Sequence, residues 1–115
     1  MTFRKSKYKN KKVIYDGIKF DSLLEMRRYK ELVILRDLGE IRNLELQPKF
    51  LLQDKFRHEG KGIRAIHYVA DFKYIRGNTV IVEDAKGMET DVYKIKKKLF
   101  LNQYGTKYKF IEVRK

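Results

Sequence analysis

The chain has 115 residues, with 28 Lys and Arg against 15 Asp and Glu, a net charge of +13 and 43% hydrophobic residues. This suits one small folded domain with a modest core and excludes a disordered polyelectrolyte, while the positive excess points to a polyanionic partner, nucleic acid first. There is no cysteine, which excludes a disulfide framework or a thiolate zinc site, and no apolar run of membrane-spanning length.

In chain order, residues 1–12 form a basic arm carrying Arg4, Lys5, Lys7, Lys9, Lys11 and Lys12, with nucleic-acid contact as its expected role. Residues 13–115 form a single domain. It opens with a hairpin, Val13-Ile14-Tyr15 and Ile18-Lys19-Phe20 around Asp16-Gly17, a pair that suits a type I′ turn. A helix is expected from Asp21 or Ser22 to Leu38, with Gly39 as its stop. Its apolar residues cover more than one face, which suggests burial on several sides or a partner surface. Residues 40 to 57 look extended, and Pro48 marks a break or an edge. Gly60 and Gly62 flank a turn before a strand that reaches Asp71 and runs on through Ile75. Gly77-Asn78 joins it to the strand Thr79–Lys86. A second helix is expected over about Thr90 to Tyr104, capped by Thr90, with Val92, Ile95 and Leu99 inward and Lys94, Lys97 and Lys98 outward. That basic face suits phosphate contact. A strand over Lys107–Val113 ends the domain. No apolar h-region follows the basic N-terminus, so a cytoplasmic location is expected.

The order is that of an α/β (α+β) domain around a mixed sheet. Its chemistry concentrates in the Gly77-Asn78 hairpin. If those two residues are the loop, Arg76 pairs with Thr79 and Asp71 falls opposite Asp84, with Lys86 two residues further along the same face. Opposed carboxylates about 5 Å apart repel. A divalent cation relieves that repulsion, and Mg²⁺ prefers oxygen donors such as Asp71, Asp84 and the Ala85 carbonyl. Lys86 is placed to orient a water or stabilise a developing oxyanion. Val80 and Val82 share the parity of Asp84, so the charges continue an apolar face. Glu83 points the other way and becomes the ligand if the loop is longer. Glu25 is a third carboxylate in line with Tyr29 and Leu32, but Ser22-x-x-Glu25 is equally a capping box. His58 and His67 are too far apart in sequence to suggest a zinc pair and are expected as ordinary histidines. Tyr93 and Tyr104 are expected in the core.

These residues resemble the PD-(D/E)XK nuclease superfamily, in particular its small phage-encoded members and Holliday-junction resolvases. Glu25 lies in Phe20-Asp21-Ser22-Leu23-Leu24-Glu25, Asp71 in Tyr68-Val69-Ala70-Asp71-Phe72, and Asp84-Ala85-Lys86 fills the (D/E)-x-K position. Ala70 replaces the proline of the motif. The resemblance spans about residues 13 to 113. It implies a restriction-endonuclease-like αβββαβ core with a central mixed sheet flanked by helices, preceded by the hairpin. It also implies a Mg²⁺-dependent DNA endonuclease, with Mn²⁺ as a substitute metal, acting on branched DNA as a homodimer. Its site would be Asp71, Asp84 and Ala85 on the metal, Glu25 completing the set from the helix, and Lys86 assisting the water. Gln47 is a further, weaker candidate near the site. For a phage protein the location would be the host cytoplasm. The rival expectation is a basic DNA- or RNA-binding protein without catalysis.

Overall fold

A computed structural model describes residues 12–114. Of the basic arm only Lys12 falls within them; Arg4, Lys5, Lys7, Lys9 and Lys11 lie outside. Lys12 is exposed and ion-paired with Asp21.

The described chain opens with the hairpin β1 (Val13–Tyr15) and β2 (Ile18–Phe20). Asp16 and Gly17 both have positive φ, the type I′ geometry that matches strand twist. Helix α1 (Leu23–Asp37) follows, with Ser22 as N-cap: its hydroxyl accepts the Glu25 N–H at 3.1 Å. Gly39, at φ 80°, stops the helix. Only Glu25, Tyr29 and Leu32 of α1 are buried, while Leu23, Ile34 and Leu38 stay exposed. The expectation of burial on several sides therefore does not hold; α1 lays one flank on the sheet.

Strands β3 (Arg42–Leu46), β4 (Lys49–Gln53), β5 (Phe56–His58), β6 (Lys61–Ile63), β7 (Ile66–Val69), β8 (Phe72–Arg76) and β9 (Thr79–Lys86) come next. Helix α2 (Asp91–Tyr104) and strand β10 (Lys109–Arg114) complete the chain. The main sheet is mixed, in the order β10-β9-β8-β3: β8 runs antiparallel to both β3 and β9, and β10 returns parallel to β9. The parallel return is possible because α2 supplies the crossover.

Two expectations are corrected. First, the strand leading to Asp71 is not continuous through Ile75. It breaks at Ala70-Asp71, opposite Gln47-Pro48. Pro48 has no N–H to give the ladder and Gln47 sits at φ 53°, so the ribbon bends there. Register survives the bend: Leu46 pairs with Phe72 on one side and Lys49 with Val69 on the other. Gln47 N donates to Asp71 O at 2.8 Å and Ala70 N to Pro48 O at 3.1 Å, stitching the gap. β3-β4-β5 and β6-β7-β8 are thus the two legs of one long bent ribbon. It turns at Glu59-Gly60, another pair with positive φ at both residues. The molecule extends 54 × 43 × 23 Å.

Second, the inner face of α2 is not Val92, Ile95 and Leu99. Val92 and Ile95 are 62% and 60% exposed, and Leu99 is also exposed. Tyr93 and Phe100 are buried instead, and Lys97 turns inward to Glu112 at 3.1 Å. Lys94 and Lys98 face solvent as expected. Aromatic residues win the buried side because they remove more apolar area from water than Val or Ile.

Two cores result. Phe20, Tyr29, Leu32, Ile41, Phe72, Tyr74 and Ile81 fill the space between α1 and the sheet. Phe50, Leu52, Tyr68, Ala70, Val82, Tyr93 and Phe100 fill the space under α2. β9 contributes to both: Ile81 faces one core and Val82 the other.

Candidate acidic site

The β8–β9 register is the one the two-residue loop requires, with Arg76 paired to Thr79 and Phe72 to Glu83. Gly77 has φ 62° and opens the turn. One step beyond Phe72–Glu83 come Asp71 and Asp84. Asp71 N donates to Glu83 O at 3.1 Å, and the Ala85 N–H donates to Asp71 Oδ2 at 2.7 Å. The Asp71 carboxylate is therefore held against β9 at the bend, between Asp84 and Ala85.

The adjacent acids Glu83 and Asp84 have opposite fates. Both are buried, at 0% and 1% exposure. Glu83 faces α1, where Arg28 Nε donates to Oε1 at 2.7 Å and Nη2 to Oε2 at 2.9 Å, and Tyr74 OH also donates to Oε2. This fork-on-fork pair raises the Arg28 pKa further, mainly through the Glu83 hydrogen bonds. Asp84 faces α2. Tyr68 OH donates to its Oδ2, but Oδ1 is buried without a hydrogen-bond partner. Lys86 Nζ stands 3.3 Å from that oxygen, close enough for an ion pair yet outside hydrogen-bond geometry. The same Nζ lies 4.4 Å from the centroid of the Tyr93 ring, which holds the ammonium over Asp84. Burial, and then the charge of Asp84, push the Tyr68 phenol above its ordinary pKa, so it stays a donor.

Glu25 reaches the same region from α1. Both halves of the capping box are present, because Asp21 N donates to Glu25 Oε1 at 3.0 Å. Glu25 nevertheless senses the acids of the sheet. Burial raises its pKa, the Asp21 N–H opposes that, and Asp71 and Asp84 are among its remaining influences. The Asp71 pKa is pushed up to about 9, first by burial, then by the charge of Asp84 and a hydrogen bond with it, and then by Glu25; the Ala85 N–H pulls the other way. Capping and participation in the acidic cluster are thus compatible for Glu25.

Asp71, Asp84, Ala85, Lys86 and Glu25 are therefore brought into one neighbourhood. Among the described residues, no three His, Cys, Asp or Glu side chains are gathered into a ready-made ion-binding group. The donor chemistry nevertheless suits a hard cation. It offers buried carboxylate oxygens that repel one another, one of them unpartnered, beside a backbone carbonyl. Lys94 and Lys98 are exposed on α2, whereas Lys97 is engaged by Glu112 and by Glu89 at 3.8 Å. Gln47 is exposed and meets Asp71 through backbone alone. His67 is half-buried on β7, and Tyr93 and Tyr104 pack in the second core.

Sequence reasoning passed over Tyr68 and Arg28. Tyr68 had a signal, since it precedes Asp71 by three residues on the approaching strand. Arg28 had none, because its partner is 55 residues away. For Tyr93 the reasoning anticipated core packing but not the support it gives Lys86.

Fold and site together define an α+β domain with a buried acidic cluster at a bend in a mixed sheet. The chain belongs to the family described as "Protein of unknown function (DUF1064)", whose model matches residues 5–114. No curated protein matches it. No helix among the described residues is long and apolar enough to cross a membrane.

Proposed function

We propose that this chain is a Mg²⁺-dependent endodeoxyribonuclease with a restriction-endonuclease-like core of the PD-(D/E)XK type. The observation that carries the reading is the buried, unpartnered Oδ1 of Asp84, flanked by Lys86 and one register step from Asp71. A buried polar atom without a partner costs about 1–3 kcal/mol, so it calls for an explanation in its setting. The Lys86 ammonium at 3.3 Å offsets part of that cost by charge alone, and a divalent cation shared with the second carboxylate, Asp71, would satisfy the oxygen fully. Asp71, Asp84 and the Ala85 carbonyl would hold the ion, with Glu25 beside them. A bound divalent cation would activate a water and neutralise charge building on a phosphodiester. Lys86 would orient that water or meet the developing oxyanion, and Tyr93 fixes where its ammonium sits. Tyr68 keeps Asp84 in one rotamer. Glu83 is a structural acid, because Arg28 and Tyr74 already engage both of its oxygens.

The +13 charge supports a nucleic-acid substrate. On the resemblance to Holliday-junction resolvases, the substrate would be DNA structure rather than sequence, branched junctions above all. Cutting two strands symmetrically would take a homodimer. Mn²⁺ would substitute for Mg²⁺, and the working compartment would be cytoplasmic. The open arrangement of the donors favours, as second reading, nucleic-acid binding without hydrolysis.

One experiment separates the two. The protein is incubated with four-way-junction, duplex and single-stranded DNA in Mg²⁺, in Mn²⁺ or in EDTA, beside Asp84→Ala. The proposal expects metal-dependent nicking of the junction that Asp84→Ala abolishes while DNA binding persists. Binding without any metal-dependent product would leave the second reading.

A further inference from the structure

The outer end of the long ribbon is unlike the rest of the molecule. β5 and β6 form a two-stranded hairpin, Phe56 paired with Ile63, Arg57 with Gly62 and His58 with Lys61. Every residue of both strands is exposed. Arg57 lies in β5, and Lys55 and Arg64 lie just outside the two strands at the base of the hairpin. Gly62, opposite Arg57, adds no side chain there. Among the described residues, Lys55, Arg57 and Arg64 have no carboxylate partner; the Arg57 guanidinium is braced by the Gly60 carbonyl at 2.6 Å. These three cations, with Phe56, Gly62 and Ile63, line an open groove of about 590 Å³. It is a separate place from the acidic cluster.

From Asp71 the ribbon runs seven residues back to Arg64 and eleven to Gly60. At about 3.3 Å per residue, the basic face stands roughly 20–35 Å from the acidic site. One turn of B-DNA is about 34–36 Å. A two-stranded ribbon is also narrow enough to enter a major groove about 12 Å wide.

We infer that the β5–β6 hairpin is a second contact surface for duplex DNA, its Lys55–Arg57–Arg64 face engaging phosphates up to one helical turn from the acidic site. This rests on the proposal that DNA is the substrate, but it concerns binding rather than chemistry. The bland alternative is that the charges only protect an exposed ribbon from pairing with other strands. That role needs no DNA and no spacing.

The test is the salt dependence of binding to a 30-bp duplex in EDTA, for the full chain and for the triple variant Lys55→Ala/Arg57→Ala/Arg64→Ala. Each phosphate contact contributes about 0.9 to the slope of log K against log salt. Loss of three contacts lowers the slope by about 2–3 and weakens binding about tenfold or more near 0.1 M salt. A backbone footprint should lose protection roughly 6–10 bp from the position of the acidic site, at about 3.4 Å per base pair. An unchanged slope and footprint would overturn the inference and leave the anti-aggregation role. So would equal loss on duplex RNA of matched sequence, or a loss traced to conversion of a dimer to monomers. Replacing residues 55–64 by a Gly-Ser turn repeats the test if the triple variant is poorly soluble. Because EDTA removes divalent metal, failure of the nuclease proposal and failure of this one give different results.

Discussion

Replacing Asp71 with Asn should stabilise the metal-free protein while removing its proposed activity. In the fold the Asp71 carboxyl is pushed up to about 9 from an ordinary 3.8, by burial first and then by Asp84 and Glu25. A group whose folded pKa is raised contributes stability that is complete below its unfolded pKa, near 4. That stability is lost progressively as pH rises toward the folded value. From 3.8 to about pH 7 is roughly three units, and at about 1.4 kcal/mol per unit the cost reaches an upper bound of about 4 kcal/mol. At about pH 5 the same arithmetic gives roughly 1.5 kcal/mol. Asn never ionises, and its Oδ1 still accepts the Ala85 N–H. Half the bound, about 2 kcal/mol, corresponds to a Tm increase of roughly 10 °C for a domain of this size. Thermal melts in EDTA at about pH 5 and pH 7 should therefore show Asp71→Asn above the parent, with the gap widening at the higher pH. Mg²⁺ at about ten times its Kd should raise the parent by about 1.4 kcal/mol and leave the variant unmoved. A variant no more stable than the parent, or a gap that stays level with pH, would refute the claim that these carboxylates oppose one another.

Other expectations are simpler. Lys86→Ala should lower the rate of DNA cleavage about 100-fold or more with little change in affinity, read from single-turnover kinetics beside equilibrium binding. Arg28→Met should cost about 3–5 kcal/mol in urea unfolding, because it strands Glu83 as a buried unpaired charge, whereas Arg28→Met/Glu83→Leu should recover much of that. Ser22→Ala should cost about 1 kcal/mol, measured the same way, through loss of the α1 cap. Deleting residues 1–12 should weaken DNA binding and flatten its salt dependence, read by titration at several salt concentrations.

What the sequence makes legible here is what local chemistry decides. Asp16-Gly17 and Gly77-Asn78 announce their turns, Ser22 and Thr90 cap helices at the places read for them, and parity separates Glu83 from Asp84. The misreadings share a cause: they depend on partners distant in sequence. Val92, Ile95 and Leu99 have helical spacing, but Tyr93 and Phe100 fit the cavity left by Phe50 and Tyr68, with ring centroids 6.3 Å apart for Tyr68–Tyr93 and 4.9 Å for Phe50–Phe100. The break at Asp71 is set by Pro48 on the opposite leg, which no window around Asp71 contains. The turn read between Gly60 and Gly62 falls instead at Glu59-Gly60, with Gly62 inside β6, because Glu is not among the usual type I′ residues.

The contrast between Glu83 and Asp84 bears most directly on what the site is for. The two are neighbours on one strand, equally buried, with carboxylates of the same chemistry. One is saturated by a guanidinium and a phenol; the other has a phenol on one oxygen and, on the second, only the Lys86 ammonium at 3.3 Å without a hydrogen bond. The fold is thus able to satisfy a buried acid completely at this depth, and it does so a single residue away. The acid left incomplete is the one on the side of Asp71 and Lys86, where the ribbon bends and the ladder parts. Packing alone would treat both residues as Glu83 is treated, or replace Asp84 with something apolar to continue Val80 and Val82. An acceptor met only by the Lys86 ammonium, without a hydrogen bond, beside a second carboxylate is the feature on which the proposed cation-dependent reaction rests.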